Sequence, residues 1–154
     1  MVTSPAPLTI TVTSPAFGDG GDIPSRNTCD GQDVSPPLRF VELPSGTVEL
    51  ALLVEDPDAP RGTFVHWVAW GLDPGKAELG EGEVPAGAGK NDFGKRGYGG
   101  PCPPKGAQHR YVFTVFALSD RLELPPGASA DDLKQAVSGR TLAEGRLIGR
   151  YARR

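Results

Sequence analysis

The sequence predicts a mainly β fold: an antiparallel two-sheet β-sandwich with Greek-key connections and one short helix near residues 130–138. Three observations carry that expectation. Apolar residues alternate with Thr over Leu8 to Thr13, the period of a half-buried strand. Three further runs are mostly apolar: Val48 to Val54, of the length of a strand buried on both faces, Phe64 to Trp70, rich in aromatic and β-branched residues, and Tyr111 to Leu118. No βαβ alternation and no internal repeat is present, which points away from a parallel sheet. The 21 Gly and 16 Pro among 154 residues are spread between the apolar runs, so they read as turns of a folded chain rather than as disorder. The length fits a single domain, residues 1–154, able to bury about 70% of its unfolded surface.

The elements follow in order. Leu8 to Thr13 is the first strand. Residues 17–37 are dense in Gly, Asp, Pro and Ser and read as a long ordered loop, with Leu38 to Val41 a short strand after it. Val48 to Val54 is an apolar run stopped by Asp56-Pro57. Phe64 to Trp70 is the next strand, residues 71–108 carry no periodicity, and Tyr111 to Leu118 is the strongest strand signal in the chain. The helix is expected after Ser129 as N-cap, with Asp131 and Asp132 in the first turn and Gly139 ending it. Leu133, Ala136 and Val137 then share its buried face, and Thr141 to Ile148 returns as a strand. The expected total is five or six strands.

Charge and composition exclude several functions. A net charge of -3 lacks the basic surplus of a general nucleic-acid binder. No apolar stretch approaches the ~20 residues of a membrane span. Met1 to Leu8 shows neither a basic nor a long apolar region, so no secretory signal is read there and the chain is expected in the cytoplasm. Cys29 and Cys102 are too few for a disulfide framework or an all-Cys zinc site. They are expected to be reduced thiols, a single bridge being the alternative.

The chemistry-bearing residues cluster in four segments: Cys29-Asp30-Gly31 with Ser35-Pro36-Pro37, Asp56 to Pro60, His66-Trp67, and Gly97 to Gly106 running into His109-Arg110-Tyr111. Asp56-Pro57-Asp58-Ala59-Pro60 ends a buried strand with two carboxylates stiffened by two prolines, and an extended backbone places Asp56 and Asp58 on one side. His66 lies in an apolar strand, with Phe64 and Val68 expected on its side and Val65 and Trp67 on the other. Gly97 through Gly100, Pro101, Cys102, Pro103, Pro104 and Gly106 form a stiff loop whose glycines admit a close approach of backbone N–H groups to an anion. It has neither the spacing nor the following helix of a nucleotide loop. His109 and Tyr111 share one face of the strongest strand, while Arg110 faces the other and is expected to pair with a buried carboxylate, Asp58 being the candidate. Each segment alone is also compatible with a purely structural role, as an Asp-Pro turn, a core histidine or a rigid loop.

Together these segments resemble the phosphatidylethanolamine-binding proteins, and Thr28-Cys29-Asp30-Gly31 with Ser35-Pro36-Pro37-Leu38 resembles their prokaryotic, Raf kinase inhibitor-like branch. The matching motifs keep their order over residues 28–118, with Gly145 to Tyr151 also similar, whereas Phe40 stands where prokaryotic relatives often have Trp. The resemblance implies a small anion pocket for phosphate, acetate or the phosphatidylethanolamine head group. Asp56, His66, His109 and Tyr111 match its pocket positions, Pro103 and Pro104 its rim, and Cys102 a backbone donor, with Asp58, Pro60, Trp67, Gly100, Pro101 and Arg110 in support. It further implies a homodimer and docking of a kinase or protease partner. The expected function is binding without turnover and without cofactor or metal. Hydrolase activity at Asp56, His66 and His109 is the enzymatic alternative, and it lacks an obvious activated nucleophile.

Overall fold

A computed structural model describes residues 8–153; residues 1–7, most of the stretch read for a signal, lie outside it. Nine strands and one α-helix form in it: β1 (Leu8–Thr9), β2 (Thr11–Thr13), β3 (Leu38–Val41), β4 (Glu49–Asp56), β5 (Phe64–Leu72), β6 (Glu78–Leu79), β7 (Gly87–Ala88), β8 (Gln108–Leu118), α1 (Ala130–Val137) and β9 (Thr141–Ala152). Two sheets result, ordered β1-β9-β8-β4-β5-β7 and β2-β3-β6. The fold is thus mainly β with two sheets and one short helix. The excess over five or six strands has two sources. The stretch 8–13 breaks at Ile10 and serves both sheets, and residues 71–108 contribute the two-residue pairs β6 and β7. A two-residue strand is too short to show a period. The long loop 17–37 also holds a 3-10 turn at Ser25–Asn27.

One pairing departs from the antiparallel expectation: β1 runs parallel to β9, with Leu8 opposite Ala143. A Cβ at Gly145 would overlap the carbonyl of Ile10, so the missing side chain there is what lets the first segment cross β9 closely. The main core joins both sheets, with Val12, Leu38, Phe40 and Leu79 from the small sheet meeting Leu52, Val54, Trp67, Tyr111, Phe113 and Leu147 from the large one. Each such side chain contributes about 1.5–3 kcal/mol by leaving water. A second cluster, with Leu53, Val68, Trp70 and Leu118, covers the other face of the large sheet under Leu133 and Val137 of α1. The helix is capped as expected: Ser129 and Asp132 satisfy each other's backbone N–H groups, and Gly139 follows with φ +79°.

The cysteines correct the sequence expectation. Cys29 and Cys102 form a disulfide, their Cα atoms 5.4 Å apart. They lie 73 positions apart in sequence, so their proximity exists only once the loop 17–37 folds against the Gly/Pro loop.

Candidate functional site

The antiparallel order β8-β4-β5 brings the C-terminal end of β4 beside the N-terminal ends of β5 and β8. Asp56, His66, His109 and Tyr111 meet there. They line a cavity of about 330 Å³ together with Ala59, Pro60, Phe64, Phe93, Cys102, Pro103, Pro104 and Arg153. Every residue assigned from the sequence to the pocket itself is in this lining. Phe64 lines it on the His66 side, as expected, whereas Ala59, Phe93 and Arg153 were not assigned to the pocket from the sequence. Arg153 arrives because β9 pairs with β8 along its whole length, placing Tyr151 opposite His109.

Both imidazoles are held in one orientation. His109 Nδ1–H donates to Asp56 Oδ2 at 2.6 Å, and His66 Nδ1–H donates to the Gly99 carbonyl at 2.7 Å. Because carboxylate and carbonyl oxygens only accept, Nδ1 carries the proton in each ring and Nε2 is the nitrogen left for a ligand. The Asp58 N–H donates to the other Asp56 oxygen at 2.8 Å. Asp56 is therefore engaged at both oxygens and acts as the orienting partner of His109. Burial lowers the pKa of His66, against the raising effects of the Gly99 carbonyl and Asp56. Burial also raises that of Tyr111, so its hydroxyl stays protonated. Tyr111 is 1% exposed, and its hydroxyl has no hydrogen-bond partner among the described residues. An edge-on contact with His66, 5.1 Å between ring centroids, fixes its ring.

Three placements differ from the sequence expectation. The chain turns directly after Asp56, so Asp58 leaves the Asp56 side and points to the surface. There it receives a two-pronged contact from Arg110, at 3.0 Å from Nε and 2.9 Å from Nη2. The expected pairing thus forms, but outside: the two side chains are 54% and 31% exposed. Arg110 holds the Asp58 carboxyl down to about 2. Third, Val68 does not share the His66 face. A register shift opposite Val54 and Glu55 inserts an extra residue into β5, so Val65 and Val68 both serve the second cluster while Trp67 joins the main core. Phe64 stays beside His66, 4.9 Å between ring centroids.

The supporting residues hold the rim. Trp67 packs edge-on against Tyr98, whose hydroxyl donates to the Asn27 carbonyl at 2.5 Å. Gly100 N–H donates to Asp33 Oδ1 at 2.9 Å, and the Pro101 carbonyl accepts from Cys29 N–H at 3.1 Å. A Cβ at Gly100 would overlap the backbone carbonyl of Asn27 as well as Asp33 Oδ1, which is why this position takes glycine. Pro60 lines the cavity wall itself.

The phosphatidylethanolamine-binding protein family model matches residues 13–152. The chain belongs to that family. It is 47% identical over 150 residues to the UPF0098 protein of Aquifex aeolicus, covering 92% of this chain and 88% of the other. A Mycobacterium tuberculosis protein, LppC, whose name contains the word lipoprotein, is 43% identical over 154 residues, covering 97% and 76%. The solved structure of CT736 from Chlamydia trachomatis superposes with a TM-score of 0.90 at 37% identity, covering 95% of this chain and 99% of that one. Within this phosphatidylethanolamine-binding protein fold, the described residues include no helix long and apolar enough to cross a membrane.

Proposed function

We propose that the pocket binds a small phosphoryl or carboxylate group, free or as the head group of a phospholipid such as phosphatidylethanolamine, without turning it over. The observation that carries this reading is the Tyr111 hydroxyl: buried, without a protein partner among the described residues, and beside two imidazoles whose Nδ1 atoms are already committed. A buried donor without an acceptor costs about 1–3 kcal/mol, and an anionic oxygen relieves that cost. His66, neutral at pH 7, accepts at Nε2 from a protonated phosphate oxygen, or donates there after taking up a proton. The Cys102 N–H serves as a further donor at the rim. Arg153 supplies the positive charge in the cavity lining.

The absence of turnover is supported by the chemistry of Cys102. Its sulfur is bonded to Cys29 and is not a free nucleophile. Incubation with chromogenic phosphate and acyl esters tests it, and release of chromophore above background refutes it.

The binding reading is tested by thermal shift with phosphate, O-phosphorylethanolamine and acetate, on wild type and His66→Ala. Saturation to about 100 times Kd adds about 2.7 kcal/mol, which raises Tm by about 5–10 °C. A shift in wild type that is lost in His66→Ala is the expected result. A larger response to O-phosphorylethanolamine than to phosphate points to a head group. No shift in wild type at millimolar ligand overturns the reading.

A second reading is docking of a kinase or protease partner at the rim, favoured by Phe93, 44% exposed at the cavity mouth. Partner capture that persists in excess phosphate counts against docking through the pocket. Homodimer formation is proposed with it, and sedimentation as a monomer at micromolar concentration refutes that. The cytoplasmic location stands as a proposal beside a disulfide, which is chemistry more typical of oxidising compartments. Recovery of the native protein in the membrane or extracytoplasmic fraction overturns it.

A further inference from the structure

We propose that the Cys29–Cys102 disulfide is a redox gate on the pocket, so that a dithiol reductant weakens anion binding by releasing the rim. This rests on the anion-binding reading above. The geometry comes first. Cys102, Pro103 and Pro104 line the cavity as one continuous segment. Upstream of it, the rim is fixed by hydrogen bonds from Tyr98 to Asn27, Gly100 to Asp33 and Cys29 to Pro101. Downstream, Gly106 N–H donates to the Arg153 carbonyl at 2.8 Å. Between these anchors, Pro103 and Pro104 have no N–H to donate. The bridge to Cys29 is the covalent tie that holds this stretch to the facing loop.

The bridge is also placed to be cut. Both cysteines are exposed. Exposed disulfides are the ones that exchange readily with small and protein dithiols. Arg153 Nη1 approaches Cys102 Sγ at 3.8 Å, while Arg153 Nε pairs with Asp30, the neighbour of Cys29, at 3.2 Å. A guanidinium beside one sulfur favours the thiolate at that sulfur and makes it the better leaving group.

A thiolate of the reductant attacks Cys29 Sγ, the bond between the two protein sulfurs breaks, and Cys102 leaves as a thiolate beside Arg153. The second thiol of the reductant, as its thiolate, attacks the mixed disulfide and expels the Cys29 thiolate. The reductant ends as a disulfide, and the protein gains two electrons and two protons. The pocket polar groups on β4, β5 and β8 are untouched; what changes is how much of the population holds the rim closed over them.

The test measures the Kd for inorganic phosphate by calorimetry on three samples: oxidised wild type, wild type in dithiothreitol, and the Cys29→Ser/Cys102→Ser double variant. Dithiothreitol is uncharged and does not itself compete as an anion. If the open rim dominates after reduction, Kd rises by about fivefold or more, because apparent affinity scales with the competent fraction. The double variant is expected to match the reduced wild type, to ignore dithiothreitol, and reoxidation of wild type is expected to restore the original Kd. Equal Kd values in oxidised and reduced wild type overturn the gate and leave the anion-binding reading intact. Failure of oxidised wild type to bind phosphate overturns both. Should the double variant not fold, the reduced and reoxidised wild-type arms decide alone.

Discussion

Tyr111 sets stability against use within one side chain. Its hydroxyl is buried and has no protein partner among the described residues, so in the ligand-free protein it is a cost. Tyr111→Phe is therefore expected to raise the ligand-free Tm slightly, because the ring stays packed against His66 and the main core. The same change is expected to weaken phosphate binding about ten- to a hundredfold, the value of one hydrogen bond to a charged group. A lowered Tm together with unchanged affinity refutes the assignment of this hydroxyl. His66 has its own signature. Burial lowers its pKa, so the unfolded chain binds more protons than the folded one near the ordinary value of 6.5. Its contribution to stability is thus present above that pH and lost as pH falls below it. The ligand-free Tm is expected to climb between pH 5 and 7, with a shallower climb in His66→Gln. Phosphate binding has the opposite slope. With Asp56 and His109 paired and Tyr111 protonated, the proton shared between His66 and phosphate is the one binding needs. Affinity is expected to fall from pH 6 to 8, by at most about tenfold per unit, and calorimetry showing a rise excludes the arrangement.

At the scale of elements, what could be read from the sequence was whatever is encoded locally. β4, β5 and β8 are long, apolar and bounded by turn residues, and α1 carries its own cap and stop, so their places along the chain follow from short-range patterns, whereas the side-by-side order β8-β4-β5 that brings their ends together does not. The His109 and Tyr111 pairing on one face of β8 needs only the period of two. The face of Val68 could not be read that way, because the extra residue in β5 is set by pairing with β4 and leaves no mark in β5 itself. The parallel contact of β1 with β9 joins residues more than 130 apart in the chain and is likewise invisible to a local period. The helix offers a control for the site experiments, since it lies on the face away from the main core. Ser129→Ala removes one half of the capping box and costs about 1 kcal/mol, or about 2–4 °C in Tm. Phosphate affinity is expected to stay unchanged; a matching loss of affinity means that the two faces of the large sheet are coupled.

At the scale of the molecule, the pocket and its supports are a junction of distant segments: three adjacent strands, the Gly/Pro loop and the end of the chain at Arg153 line it, and a loop near residue 30 ties to Cys102 and Arg153 from behind. Composition and motif spacing identified all of these except Arg153 as chemistry-bearing but could not say that the two cysteines meet, because a bridge requires a distance that only the folded chain supplies. That bridge closes a segment of 73 residues. In the chain-entropy account, a cross-link over such a length removes about 4 kcal/mol worth of freedom from the unfolded state. The core does not depend on it, since both hydrophobic clusters are built without either cysteine. Reduction is therefore expected to leave the protein folded at room temperature and to lower its Tm by about 10 °C, with the far-ultraviolet β signal retained below the transition. A calorimetric scan in dithiothreitol measures this directly. Loss of the β signal at room temperature on reduction shows instead that the bridge is required for the fold, and a Tm unchanged by reduction shows that the unfolded chain already holds the two loops together.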